Sequence, residues 1–311
     1  MRCVYCMPRE YFGVDHAFLP REELLTFNEI HRLATIFAPL GVRKIRITGG
    51  EPLVRRDIEE LIRMLSTIPD VELTMTTNGT LLAAKAQKLT EAGLDRVTVS
   101  LDSDDDAIFQ EMNDAGYSVE TVLGGIQAAE EAGLTPIKIN MVVKKGVNEE
   151  SILSMADRFR GTGNILRFIE YMDVGSTNDW KLTQVVPARE IIEKVNRIFP
   201  IEPIEPNYKG EVARRWRYKD GGGEIGIIAS VTQPFCGDCS RARLSAEGKL
   251  YTCLFAIQGH DLRGLIRNGS GDQEISDLIR SIWGLRTDRY SEVRNGKMQG
   301  KQKIEMSYIG G

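Results

Sequence analysis

Between residues 25 and 200 the apolar positions alternate between two spacings. Stretches with apolar residues three and four apart predict helices over 27–38, 57–66, 83–92, 119–132, 149–160 and 188–198. Short β-branched runs between them predict strands over 44–48, 72–76, 96–101, 137–143 and 165–171. Short strands separated by single helices imply parallel pairing through right-handed crossovers. Gly41, Gly93 and Gly133 each fall between a helix and the next strand, where a left-handed residue ends a helix. These strands are too few to close an eight-stranded barrel. An open or partial barrel is expected, with room for a strand before Met1.

After about residue 202 the alternation stops. Pro203, Pro206 and Gly210 interrupt it, and two hairpins are expected. One pairs 215–218 with 225–228, and the other pairs 241–245 with 249–254 across Glu247-Gly248. With a helix near 275–282, this reads as a smaller second domain over 203–311 behind a core over 1–202.

Composition narrows the function. No apolar run approaches the ~18–20 residues of a membrane helix. The opening MRCVYCMPRE lacks the apolar stretch of a secretory signal, so a cytoplasmic protein without a membrane partner is expected. A net charge of −4 argues against a chain-wide nucleic-acid footprint and leaves room for a local anion pocket. The 5 cysteines are an odd number for a disulfide framework and sit only at the two ends: Cys3 and Cys6, then Cys236, Cys239 and Cys253. That distribution reads as two metal sites.

The C-terminal trio has a complete spacing. A turn at Glu247-Gly248 returns Cys253 beside the Cys236/Cys239 loop. Three thiolates without a fourth ligand suit a 4Fe–4S cluster with one open iron. Structural zinc, with His260 as fourth ligand, is the alternative. Cys3-x2-Cys6 alone is weak, shared by zinc knuckles and redox dithiols. The strand ends add polar segments: Thr48-Gly49-Gly50-Glu51-Pro52, Thr76-Thr77-Asn78-Gly79, Ser100-Leu101-Asp102 and Glu170-Tyr171-Met172-Asp173. Parallel α/β folds place ligands at this edge. Arg46 and Lys138 lie inside strands among isoleucines, so they face a lumen or a ligand, the alternative being an ion pair with Glu170. Arg241 and Arg243 lie on one strand face, as a bidentate phosphate site would want.

CVYCMP, KIRITGGEP at 44–52, TTNG at 76–79, VSLD at 99–102, RFIEYMDVG at 167–175, FCGDCSRARLS at 235–245, Cys253 and the terminal Gly-Gly together resemble one family. It is the GTP 3′,8-cyclase (MoaA) family of radical S-adenosylmethionine (SAM) enzymes, lyases of molybdenum cofactor biosynthesis. The resemblance implies a partial (β/α)6 TIM-type barrel and a C-terminal domain holding a second cluster. It implies two 4Fe–4S clusters, the first on Cys3 and Cys6, the second on Cys236, Cys239 and Cys253. Tyr5, Gly50, Ser100 and Met172 would line the SAM site, with Glu51 or backbone carbonyls on its ammonium and Asp102 on its ribose. Arg46, Thr76, Lys138, Arg241 and Arg243 would hold GTP, with Arg167 in the same group.

The implied reaction begins with a 5′-deoxyadenosyl radical that removes the ribose 3′ hydrogen of GTP, after which the ribose carbon attacks guanine C8. Implied partners are a flavodoxin or ferredoxin reductant and the cyclic pyranopterin monophosphate synthase downstream, with homodimerisation open. The family's first cluster motif is C-x3-C-x2-C, and its first cysteine falls before Met1. A start upstream that supplies this ligand is expected, since two thiolates would hold the first cluster poorly. A truncated, inactive homologue and a radical SAM peptide maturase are the alternatives.

Overall fold

The computed structural model describes residues 1–13, 15–294 and 303–310. Strands β1 (Lys44–Ile47), β2 (Glu72–Thr77), β3 (Arg96–Ser100), β4 (Lys138–Val143) and β5 (Ile165–Glu170) pair in parallel and in chain order. The six helices expected before, between and after them form to within two residues of each predicted end. Gly41, Gly93 and Gly133 take φ of 101°, 98° and 85°, the left-handed conformation that stops each helix.

The sheet then continues where the sequence pattern implied a break. Strands β6 (Ile201–Ile204), β7 (Arg214–Tyr218) and β8 (Glu224–Ile228) join it, with β8 parallel beside β5 and β7 and β6 antiparallel beyond. The hairpin expected at 215–228 therefore forms, and its second strand supplies a sixth parallel strand. β6 escapes the pattern because Pro203 lies within it, a residue tolerated on an edge strand whose N–H need not pair. A helix at Asp106–Asn113 also escapes it. Its acidic lead-in looks like a loop, yet the Asp105 carboxylate accepts from the Ala107 and Ile108 N–H groups as an N-cap.

A second sheet is made of β9 (Arg243–Leu244), β10 (Lys249–Tyr251) and β11 (His260–Asp261), all antiparallel. The helix Phe27–Phe37 bridges the two sheets' cores. Its Ala34 packs with the main core, while Leu33 and Ile36 pack with Leu250, Leu262 and Ile275. Each fully buried Leu or Ile stabilises by roughly 1.5–3 kcal/mol. Within the main sheet Met75, Val97, Val99, Ile139 and Met141 are buried beneath the helices. Period-two alternation sends Thr76, Ser100, Lys138, Asn140 and Arg167 to the inner face. Among the described residues no helix is long and apolar enough to cross a membrane.

Candidate active site

The inner face opens on a cavity of about 2640 Å³. The cluster, SAM and GTP residues that the resemblance implies all line it: Cys3, Tyr5, Cys6, Arg46, Gly50, Thr76, Ser100, Lys138, Met172, Cys236, Cys239, Arg241, Arg243 and Cys253. Two ends far apart in sequence thus meet around one space.

The cavity floor is cationic. Arg96 and Lys44 share Glu72, with Arg96 Nε 2.6 Å and Lys44 Nζ 2.9 Å from its carboxylate oxygens. Among the described residues neither Arg46 nor Lys138 pairs with a carboxylate. Glu170, the partner considered for them, accepts instead from the Ala188, Val231 and Thr232 N–H groups at 2.8, 2.8 and 2.9 Å. It pins the end of β5 to the helix and loop that follow. Burial, then the charges of Arg167 and Arg96, bring Lys138 down to about 8. Burial, then Arg46, bring Arg167 down to about 9. Arg243 falls to about 10 through burial and its neighbour Arg241. Cations that depress one another inside a concave wall attract a polyanion.

At the other end the polar groups are already taken. The Tyr5 hydroxyl donates to Asp102 Oδ2 at 2.9 Å, and the Val142 N–H donates to Oδ1 at 2.9 Å. Burial pushes Asp102 up to about 6. Asp102 thus anchors Tyr5 and β4, with one protein donor on each of its oxygens. Glu51 is similarly engaged. It accepts from the Leu53 N–H (3.0 Å), the Thr77 hydroxyl (2.8 Å) and the Asn78 N–H (2.7 Å), tying the Gly-Gly turn to the end of β2. Apart from Gly50 and its two chain neighbours, no heavy atom lies within 4 Å of where a Cβ on Gly50 would stand, so a ligand can approach the backbone there. The buried Thr76 hydroxyl has no partner among the described residues and faces the cavity.

The cysteines test whether clusters fit. Among the described residues no three metal-ligating side chains already converge on a point. The donor chemistry is nevertheless specific. Cys236 and Cys239 bracket a single 3-10 turn, the Cys239 N–H donating to Cys236 O at 3.2 Å, and the Phe255 N–H points at Cys253 Sγ at 3.5 Å. His260 lies exposed on β11, away from the cavity lining, so the histidine considered as a zinc ligand is not placed with the three thiols. Burial raises the Cys239 thiol, but Arg241, whose Nε and Nη2 lie 3.4 and 3.3 Å from Sγ, brings it down to about 7. Three thiols fit a cluster with one open iron. At the other end the Cys6 and Met7 N–H groups both donate to Cys3 O, at 3.0 and 2.9 Å, turning the two thiols toward each other. That contact, then burial, push the Cys6 thiol up. The pair fits two ligand positions of a first cluster.

Sequence reasoning missed Asn140, Arg96 and Tyr208, which stand among these cations. Asn140 shares the face of Lys138 two residues away, so alternation alone could have found it. Tyr208 sits in an aperiodic loop that gives no such signal.

Residues 1–159 match the radical SAM superfamily, and residues 164–292 match Molybdenum Cofactor Synthesis C. The chain is 51% identical to the GTP 3′,8-cyclase of Acidothermus cellulolyticus, over 100% of this chain and 93% of that protein. It is 47% identical to the GTP 3′,8-cyclase of Staphylococcus aureus, over 100% of this chain and 92% of that protein. In shape it resembles Streptococcus suis SuiB bound to S-adenosylmethionine, with TM-score 0.64 and 14% identity over 99% of this chain and 72% of that one. Methylornithine synthase is similar at TM-score 0.52 and 15% identity, over 94% of this chain and 81% of that one. These last two likenesses concern the fold alone.

Proposed function

The chain belongs to the GTP 3′,8-cyclase family of radical SAM enzymes, and on that premise we propose that its cavity holds SAM at the Cys3–Cys6 end and the GTP triphosphate on Arg46, Lys138 and Arg167. In this family a reduced 4Fe–4S cluster with SAM supplies the 5′-deoxyadenosyl radical that takes the ribose 3′ hydrogen of GTP and drives closure onto guanine C8, the first step of molybdenum cofactor biosynthesis.

The chain's own residues bind and orient. Cys3 and Cys6 would hold the first cluster. Tyr5, fixed by Asp102, walls the SAM site together with Ser100 and Met172, while the open backbone at Gly50 receives the methionine ammonium. With Glu51 engaged by three protein donors, carbonyls of that turn take the acceptor role. Cys236, Cys239 and Cys253 would hold a second cluster at the guanine end, with Arg241, Arg243 and Thr76 contacting the nucleotide. A flavodoxin or ferredoxin reductant, a downstream cyclic pyranopterin monophosphate synthase and a homodimer complete the proposal on the strength of the resemblance, together with a cytoplasmic setting.

One observation carries the nucleotide reading: mutually depressed cations, without carboxylate partners among the described residues, share a cavity with two sets of thiols. Calorimetric binding of GTP, GDP and GMP to the anaerobic protein tests it. Affinity should fall stepwise as phosphates are removed, and in Lys138→Met the GTP-over-GMP advantage should shrink about tenfold, as for one charged contact. Equal affinity for GTP and GMP would overturn the reading.

A further inference from the structure

The tail Lys303–Gly310 is clasped along the loop that follows β5. Glu305 Oε1 accepts from the Ser176 N–H at 2.9 Å, and Oε2 from the Thr177 hydroxyl at 3.1 Å. The Lys303 N–H donates to Ser176 Oγ at 2.9 Å, and its ammonium lies 3.1 Å from both Asp173 Oδ2 and the Tyr290 hydroxyl. Asp173 is buried and also takes Arg294 Nε at 2.8 Å. Gly175, at φ +65°, abuts the Glu305 carboxylate so closely that a Cβ would collide with it.

Both ends of this clasp lead to the cavity. The tail runs on to Gly310, whose carbonyl accepts from Arg243 Nε at 3.1 Å and whose Cα is pressed against Thr48, leaving a Cβ only 2.4 Å from Cγ2. The loop begins just after Met172, and the Asn178 amide ties it back to the carbonyls of Tyr5 (3.3 Å) and Met172 (3.1 Å). One set of contacts therefore connects the residue holding Arg243 in place with the loop beside the Cys3–Cys6 turn.

We propose that Lys303 and Glu305 are positioning residues: by seating the tail on the 173–177 loop they hold Arg243 and the Met172 loop in one fixed relation, so that radical formation and nucleotide placement stay matched. The proposal rests on the assignment of Arg243 to the nucleotide. With the clasp loosened, Arg243 loses its backbone acceptor and SAM is cleaved without cyclisation of GTP.

The test uses loop-side variants that leave the tail sequence untouched, Thr177→Val and Gly175→Ala, with Thr177→Ser as the conservative rescue. Two readouts are taken on the reconstituted enzyme. Tryptic cleavage after Lys303, without GTP, should accelerate about tenfold in the first two variants and return toward the parent rate in Thr177→Ser. The ratio of 5′-deoxyadenosine formed to GTP cyclised should rise about threefold to tenfold, while KM for GTP moves less than about twofold. Adding Glu305→Gln to Thr177→Val should add nothing further to either readout, as partners in one contact do. An unchanged cleavage rate overturns the clasp. Faster cleavage with an unchanged ratio overturns its positioning role. The tryptic readout does not depend on which residues hold GTP, and Lys138→Met tests the nucleotide reading separately.

Discussion

Asn140 and Arg167 are direct register partners across β4 and β5, and the Arg167 Nε–H donates to Asn140 Oδ1 at 2.9 Å. On the far side Gly226 pairs with Arg167 in β8, where a Cβ would stand 2.9 Å from Arg167 Cγ. The guanidinium is thus aimed into the cavity by one neighbour's amide and another's missing side chain. Asn140→Leu should raise KM for GTP about tenfold, the worth of one hydrogen bond to a charged group, with a smaller change in kcat. Arg167→Lys should show a similar rise, since it keeps the charge and loses the fork. Steady-state kinetics on both variants check this.

Lys138 carries a pH signature. Its folded value of about 8 lies below that of an exposed lysine, so between about pH 8 and 10 the unfolded chain binds more protons and stability rises with pH. GTP reverses the preference by favouring the ammonium. Affinity should therefore fall as pH rises through about 8, and binding there should take up protons. Calorimetry at pH 8 in buffers of different ionisation enthalpy measures that uptake. Lys138→Met should abolish it and raise Tm by roughly 1–3 °C, because a buried charge is removed.

Much of the placement of these residues was legible in the sequence. Period-two alternation placed Arg46 and Lys138 among isoleucines, and only an inward face could take them. The Cys236-x2-Cys239-x13-Cys253 spacing with a Gly248 turn likewise implied thiols on one side of a hairpin. What sequence could not give was occupancy. Glu51 and Asp102 looked free to meet a ligand, yet both carboxylates accept from protein donors brought in from residues 5, 53, 77, 78 and 142. Long-range pairing of β8 with β5 was equally invisible, because a hairpin's own pattern does not say which sheet it joins.

Glu51 should therefore behave as a structural anchor of the SAM site. In Glu51→Gln the amide NH2 must face a protein donor, leaving at least one contact unmade at about 1–3 kcal/mol. Tm should fall accordingly, and SAM affinity should fall with it as the Gly50 turn shifts. A variant with the parent Tm and weakened SAM binding would instead put the carboxylate on the ligand.

Asp102, raised to about 6 by burial, gives the folded state extra protons between about pH 4 and 6. Stability should fall as pH rises through that window and level off above it. Asp102→Asn should flatten the profile of Tm against pH. Tyr5→Phe, which leaves the buried carboxylate short of a donor, should lower Tm at pH 7 by the equivalent of about 1–3 kcal/mol.

The central claim is that this cavity presents the GTP ribose to an adenosyl radical. The direct measurement is isotope transfer: the anaerobically reconstituted enzyme is supplied with SAM, reductant and GTP deuterated at the ribose 3′ position, and the products are read by mass spectrometry. Deuterium in the 5′-deoxyadenosine, together with 3′,8-cyclised product, is the predicted result. SAM cleavage that yields only unlabelled 5′-deoxyadenosine, with the labelled GTP left uncyclised, would contradict the account.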